Sequence, residues 1–419
     1  MCPINGKGGG ALEKYFARQP IFDLRNNTYA YELLYRNTPS PEPCTEENGD
    51  KSTADVISSS FFGGEPSVIF NGKRAFVNFT EKLILSRTAL LLPNDILVVE
   101  ILETVPASDE VIEACRELKS EGYMIALDDY VFTPETEAFL EVADIAKIDF
   151  LNTPTEDIER TAAACRERKV KILGEKIETE EKAEYAKSMG AVYLQGYFFE
   201  RPIVITNRNC TPMQLTFFRL ASIMIDDRVE FRDIAEIVEL DAAMTVKLLR
   251  LVNSLRNDYT EKIASVFQAV KMLGIKRTRE WVYLMGFQQF KNDAPDEVIT
   301  QAFFRARFCE SIGRRIYSAR KHAKELYLMG LMSVISVISP NGKDGIKGLN
   351  VSDNIRGGLS GEGGIFSDIF EVVVAYERAD WDKVDGFIAQ YGISEEFMAK
   401  DYVRSLKATE TLINAVKGR

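Results

Sequence analysis

Gly122-Tyr123-Met124-Ile125-Ala126-Leu127 is a short apolar run that ends in the pair Asp128-Asp129. Thr133–Glu141 follows with a helical pattern, and Val142-Ala143-Asp144-Ile145-Ala146-Lys147-Ile148 is the next apolar run. Strand, helix and strand in this order are the repeating unit of a parallel sheet. Working outward, similar runs rich in β-branched and aromatic residues occur at Tyr15–Phe22, Thr28–Tyr35, Arg74–Phe79, Asp95–Leu102, Val170–Leu173 and Ala191–Phe199. Amphipathic patterns at Ser108–Glu121, Asp157–Lys169 and Glu180–Met189 lie between several of them. Eight strand candidates favour a closed α/β barrel of the TIM type over an open sheet.

The first two runs break the regularity. Only Asp23-Leu24-Arg25-Asn26-Asn27 joins them. A parallel crossover needs about a dozen or more residues, and Asp and Asn favour turns. The spacing therefore predicts an antiparallel hairpin within an otherwise parallel barrel. After Pro202 the pattern changes. Met213–Ile225, Phe231–Glu239, Ala242–Asn253, Ala264–Leu273, Arg277–Phe290, Val298–Arg320 and Lys324–Ile338 all carry helical periodicity, which predicts a C-terminal all-α domain. The expected organisation is an extension over 1–14, a barrel over 15–205, a linker over 206–212 and a helical domain over 213–419. Pro340–Gly364 is glycine-rich but lacks a G-x-x-x-x-G-K-[ST] pattern, so a surface loop is expected there.

Composition narrows the chemistry. The 419 residues carry a net charge of −11, which disfavours general nucleic-acid binding and anionic membrane surfaces. His322 is the single histidine, so metal sites built on two or three His and transfer through paired His are excluded. It lies in the basic stretch Arg320–Glu325, which predicts a solvated helix face. The six cysteines have no C-x-x-C or metal-ligand spacing, as expected of reduced thiols in a cytoplasmic protein. The N-terminal residues have no apolar signal core, and Leu326–Ile338 is too short and too broken by serine to span a membrane.

Polar residues mark the strand ends. In order they are Glu32, Asn78, Glu100, Asp128 with Asp129, Lys147 with Asp149, Glu175 and Gln195. A single acid in such a place often caps the following helix. Seven in succession converge instead on one barrel mouth. So many carboxylates repel one another unless a cation joins them, and all-oxygen donors favour Mg²⁺ or Mn²⁺. Paired Asp128 and Asp129 suit two metals and phosphoester hydrolysis by an activated water.

These residues resemble the EAL domain, a bacterial barrel that hydrolyses cyclic di-GMP. The matching segments are Arg18-Gln19-Pro20, Tyr31-Glu32-Leu33-Leu34-Tyr35-Arg36, Val77-Asn78-Phe79, Glu100-Ile101-Leu102-Glu103, Asp128-Asp129, Lys147-Ile148-Asp149, Gly174-Glu175-Lys176-Ile177-Glu178 and Gln195-Gly196-Tyr197. The resemblance implies that Glu32, Asn78, Glu100 and Asp128 hold a first metal and that Asp129 helps hold a second. It also implies that Lys147 positions the attacking water and that Glu175 acts as general base or second-metal ligand. Gln19, Arg36, Asp149, Glu178, Gln195 and Pro202 are implied to line the dinucleotide pocket. One departure lies after the paired Asp, where the family has D-D-F-G-x-G and this chain has Asp128-Asp129-Tyr130-Val131-Phe132-Thr133. Val131 and Thr133 resist backbone conformations open to glycine. A milder one is Leu33 in place of the family's Ala.

The second half resembles the HDOD domain, through Leu240-Asp241, Leu248–Ser254, Ile263–Gly274 with Gln268-Ala269, and Gly330-Leu331-Met332. With one histidine, the His-Asp metal site of related hydrolases is absent, so this half is expected to bind an unknown protein partner or relay a signal. The resemblance as a whole implies hydrolysis of one phosphodiester of cyclic di-GMP to the linear dinucleotide. The altered loop motivates a second reading, a receptor or scaffold without turnover. A third is an unrelated barrel enzyme acting on carbon acids with Lys147 as base. Homodimerisation is an expectation from the resemblance alone.

Overall fold

Eight strands close into a barrel in sequence order. They are β1 (Phe16–Asp23), β2 (Thr28–Tyr35), β3 (Arg74–Phe79), β4 (Leu97–Ile101), β5 (Met124–Leu127), β6 (Ile145–Asp149), β7 (Lys171–Glu175) and β8 (Ala191–Leu194). β1 runs antiparallel to both neighbours, β2 and β8, while β2 to β8 are parallel. The hairpin turn is held by the Asp23 carboxylate, which accepts from the N–H groups of Arg25 and Asn27. Asn26 takes the positive φ there (60°), a conformation Asn tolerates.

The computed structural model describes residues 16–35, 70, 72–196, 220, 223, 229–254, 263–290, 296–333 and 352–417. They fall into two compact units, drawn from Met1–Arg201 with Val374–Lys407 and from Pro202–Val373 with Ala408–Arg419. Among the described residues, no helix is long and apolar enough to cross a membrane.

Helices on the barrel begin where short polar side chains cap them. α1 (Glu81–Leu85) starts at Thr80, α2 (Asp109–Ser120) at Ser108 and α4 (Glu180–Ser188) at Thr179, each with its hydroxyl accepting from an N–H of the first turn. α3 (Thr155–Arg168) instead starts at Pro154. Thr133–Glu141 gives only a short 3₁₀ helix, Glu137–Glu141. Its first residues are held in loop hydrogen bonds described below.

The remaining elements are all helical: α5 (Phe231–Glu239), α6 (Ala242–Ser254), α7 (Val266–Phe290), α8 (Asp296–Arg315), α9 (Ala323–Met332), α10 (Asp353–Ser360), α11 (Ile365–Glu377), α12 (Trp381–Tyr391) and α13 (Glu395–Lys417). Two helices meet inside α7 at Gly274, whose φ of 76° and ψ of 160° are non-helical. That break separates the two patterns read at Ala264–Leu273 and Arg277–Phe290. In α9, Ala323 and every residue from Leu326 to Met332 are buried. Gly330 makes a close approach possible, since a Cβ there would lie 2.5 Å from the Ala306 backbone nitrogen of α8.

Two expectations are corrected here. His322 does not sit on a solvated helix face. It ends a 3₁₀ turn, is half-buried, pairs through Nδ1 with Glu325 at 2.6 Å and meets the Phe366 ring edge-on. The Gly-rich stretch over 340–364 is not wholly loop, because Ser352 caps α10 within it. Cys115, Cys165 and Cys309 are free, buried thiols. Burial pushes the first two up to about 12, far from reactive thiolates. Most of the Met213–Ile225 pattern and all of the 206–212 linker lie outside the described residues.

Candidate active site

A single apolar layer fixes where the polar residues go. Ile21, Ala30, Phe76, Val98, Ala126, Ile145 and Leu173 form one buried cluster inside the barrel, with Tyr193 packed against it. Strand side chains alternate with period two. The residue two positions nearer the mouth on each strand therefore faces the same interior. Those residues are Gln19, Glu32, Asn78, Glu100, Asp128, Lys147, Glu175 and Gln195. All eight strands contribute one polar group to a layer resting on an apolar floor. The register places Gln19 opposite Glu32 and Asn78 opposite Glu100.

Lys147 is the focus of this layer. It is 1% exposed, and its ammonium lies 2.7 Å from Asp128, 2.9 Å from Glu175 and 3.4 Å from Glu32, with a further short contact to Glu100. Burial alone would depress this ammonium, but Glu100, Glu175, Glu32 and Asp128 together hold it well above its ordinary value. Burial raises Glu100 well above the carboxylate range against the pull of Lys147. Burial likewise pushes Glu175 up to about 8, with Lys147 opposing and the Glu32 and Asp128 charges adding to the rise. Gln195 completes the layer: its amide donates to Glu32 (2.6 Å) and to the Gln19 side-chain oxygen (3.1 Å).

Asp129 lies one residue out of phase with this layer and carries a left-handed backbone (φ 39°). Lys176, also left-handed (φ 52°), reaches it at 3.5 Å and reaches Asp149 at 2.6 Å. Asp149 is otherwise occupied by the N–H groups of Leu151 and Asn152 and the Asn152 amide. Burial would raise its pKa, but Lys176 and these donors hold it below the usual value. Glu178 is exposed beside the cap of α4 and is not drawn into the layer. Arg36 and Pro202 lie outside the described residues. In the sequence Lys176 is only one letter of the Gly174–Glu178 segment, and no spacing marks it as a clamp between two strand ends.

The loop without glycine has its own solution. Neither Val131 nor Thr133 takes a positive φ; Asp129 alone does in this segment. The Thr136 hydroxyl donates to the Val131 carbonyl (2.8 Å) and accepts from the Thr133 N–H (3.0 Å). The Tyr130 N–H donates to the Lys147 carbonyl and the Phe132 N–H to the Thr161 hydroxyl. The loop is thus tied to itself, to β6 and to α3. It walls a cavity of about 240 Å³ whose lining includes Ile101, Leu127, Asp128, Asp129, Val131 and Phe139.

The donors at the mouth suit a hard divalent cation. They are oxygens, and Glu100 Oε2 and Asp129 Oδ1 are buried without a hydrogen-bond partner. Among the described residues, however, no three acidic, His or Cys side chains are arranged around a common metal position. The carboxylates are gathered on Lys147 instead.

Comparison with known proteins matches the EAL domain over residues 72–202 and the HDOD domain over 211–339. An uncharacterized protein of Bacillus subtilis (strain 168), YuxH, is 30% identical over 413 residues, covering 96% of this chain and all of YuxH. The chain is an EAL–HDOD protein. A second relative, from Vibrio cholerae serotype O1, bears the name cyclic di-GMP phosphodiesterase CdgJ and is 29% identical over 404 residues, covering 95% of this EAL–HDOD chain and 93% of CdgJ. Among solved structures, the PaMucR phosphodiesterase in complex with c-di-GMP is 22% identical over 45% of this EAL–HDOD chain and 92% of its own, with a TM-score of 0.36.

Proposed function

We propose that the barrel binds cyclic di-GMP and hydrolyses one of its phosphodiesters to give the linear dinucleotide. The observation that carries this reading is the layer of eight inward polar residues centred on Lys147. The relative named as a cyclic di-GMP phosphodiesterase, similar along nearly its whole length, supports it.

Glu32, Asn78, Glu100 and Asp128 would hold a first Mg²⁺ or Mn²⁺, with Asp129 and Glu175 toward a second. Bound there, such a cation supplies Lewis acidity and acidifies water. The chain's own groups do the rest. A cyclic dinucleotide carries two phosphate charges into an acidic mouth, so Lys147 and Lys176 supply fixed positive charge that lowers its repulsion. Glu175 accepts a proton from water in its ionised form, and its rise to about 8 makes that form a stronger base than an ordinary carboxylate. Lys147 keeps its proton and positions that water through Asp128 and Glu175, the carboxylates it holds. Gln19 and Gln195 offer amide groups to the base edges, and the apolar floor beneath them excludes solvent.

The test is linear product formation with Mg²⁺ or Mn²⁺, comparing wild type with Glu32→Ala. Wild-type enzyme at micromolar concentration giving no product would overturn the enzyme reading. One observation favours a receptor: lysines already engage the carboxylates on which metals would act. Calorimetry separates the two, since a receptor binds cyclic di-GMP and releases no product. In either case the HDOD-matched region over 211–339 serves as the output or partner-binding part of a cytoplasmic protein.

A further inference from the structure

Tyr402 lies in α13, beyond both matched family regions, yet it falls in the same compact unit as the barrel. Its ring is 2% exposed. It stacks on Tyr376 at 4.6 Å and meets Phe16 of β1 edge-on at 5.6 Å. Its hydroxyl accepts from the backbone N–H of Arg18 at 3.2 Å. Among the described residues, the β1–β8 ladder consists of Phe22↔Leu194 and Asp23↔Tyr193, both far from the mouth end of β1. Beyond Leu194 the backbone turns to β7: Gln195 donates to the Gly174 carbonyl and accepts from Ile177. The Arg18 N–H donates to a helix side chain 384 positions away in sequence.

Arg18 adjoins the site on both sides. Its guanidinium lies 4.2 Å over the Tyr31 ring, next to Glu32 on β2. Its chain neighbour Gln19 holds the Gln195 amide that also bonds Glu32. We propose that Tyr402 is a positioning residue: α13 seals the mouth end of β1 and, through Arg18, fixes Gln19 against Gln195 and Glu32. The C-terminal helices are then part of the barrel's site, and any event that shifts α13 is read at Gln19.

The test uses the full chain with Tyr402→Phe, which keeps the ring contacts and removes only the hydroxyl. Hydrogen exchange at the Arg18 amide should rise about 3–10-fold, the factor expected for one lost hydrogen bond, while β4 to β6 stay unchanged. Affinity for cyclic di-GMP, measured by calorimetry with Mg²⁺ well below the Tm of both proteins, should fall by a similar factor. This second readout rests on the function proposed above. If the wild type itself binds no cyclic di-GMP, that reading fails, and the Arg18 exchange alone decides the seal. Unchanged exchange overturns the proposal. Faster exchange with unchanged affinity also overturns it, leaving Tyr402 a packing residue. If Tyr402→Phe does not fold, Phe16→Leu tests the same seal from β1 with the same readouts.

Discussion

The two halves of the chain use their interiors in opposite ways. In the barrel, Glu32, Glu100, Lys147, Asp149, Glu175 and Gln195 are buried. In α9 the interior is apolar and is packed so closely that backbone meets backbone at Gly330 and Ala306. Burying charge is costly unless it is paired. An ordinary core offers no reason to do it once, and this barrel does it on strand after strand. A buried charge network marks chemistry, whereas a close-packed apolar seam marks only stability. The lesson is that function here can be located by where the chain accepts an electrostatic cost.

The sharpest way to break this comparison is Lys147→Met. It leaves four carboxylates without their ammonium, and removing one partner of a buried ion pair costs about 3–5 kcal/mol. Urea unfolding in the presence of a chelator should show that loss, with much of it restored by Mg²⁺. An unchanged midpoint would mean that Lys147 does not hold the buried carboxylates together.

The second largest effect is on pH dependence. Glu175 has a folded pKa of about 8, above the ordinary carboxylate value. The folded state therefore binds the proton more tightly, so stability is greatest below the ordinary carboxylate pKa and is lost as pH rises toward 8. The folding equilibrium should change by up to about tenfold per pH unit in that window. Melts across pH 5–8 without divalent cations test this, and Glu175→Gln should flatten the slope.

Gly330→Ala probes the other half. Alanine ordinarily favours a helix, but the overpacking expected here costs about 1–3 kcal/mol. Thermal melts should fall, while cyclic di-GMP binding by the barrel should hold. The smallest effect is that of Thr136→Val, which removes the hydroxyl closing the loop after Asp129. A loss of about 1 kcal/mol is expected, read as faster amide exchange at Thr133.

Much of the barrel was legible because strand alternation is local. Ile145-Ala146-Lys147 and Leu173-Gly174-Glu175 each state an apolar floor and a polar group above it within three letters. Asn27 and Asp23 state the hairpin as plainly. What stayed hidden was partner choice at long range. Nothing near Lys176 names Asp149, and nothing near Arg18 names Tyr402. The shortened helix at Thr133–Glu141 was missed because Thr136 hydroxyl bonds compete with helical ones. The expectation that Val131 and Thr133 strain the loop moved to another residue, since Asp129 carries the left-handed turn. His322 looked solvated because its neighbours are basic, while Glu325 and Phe366 cover it.

The antiparallel first strand also sets an order of events. β1 precedes the other strands in the chain, but its site residue Gln19 meets Gln195 across 176 positions, and Arg18 meets Tyr402 across 384. Closing such long loops costs entropy before any contact repays it, and it slows folding. The β1–β2 hairpin forms locally and β3 to β7 can pair progressively, while the Arg18–Tyr402 contact must await nearly the whole chain. The polar layer is complete only once Gln195 has closed the barrel onto Gln19 and Glu32. A chain cut before α13 would keep every strand and every carboxylate of the barrel but lack the Tyr402 hydroxyl that meets β1.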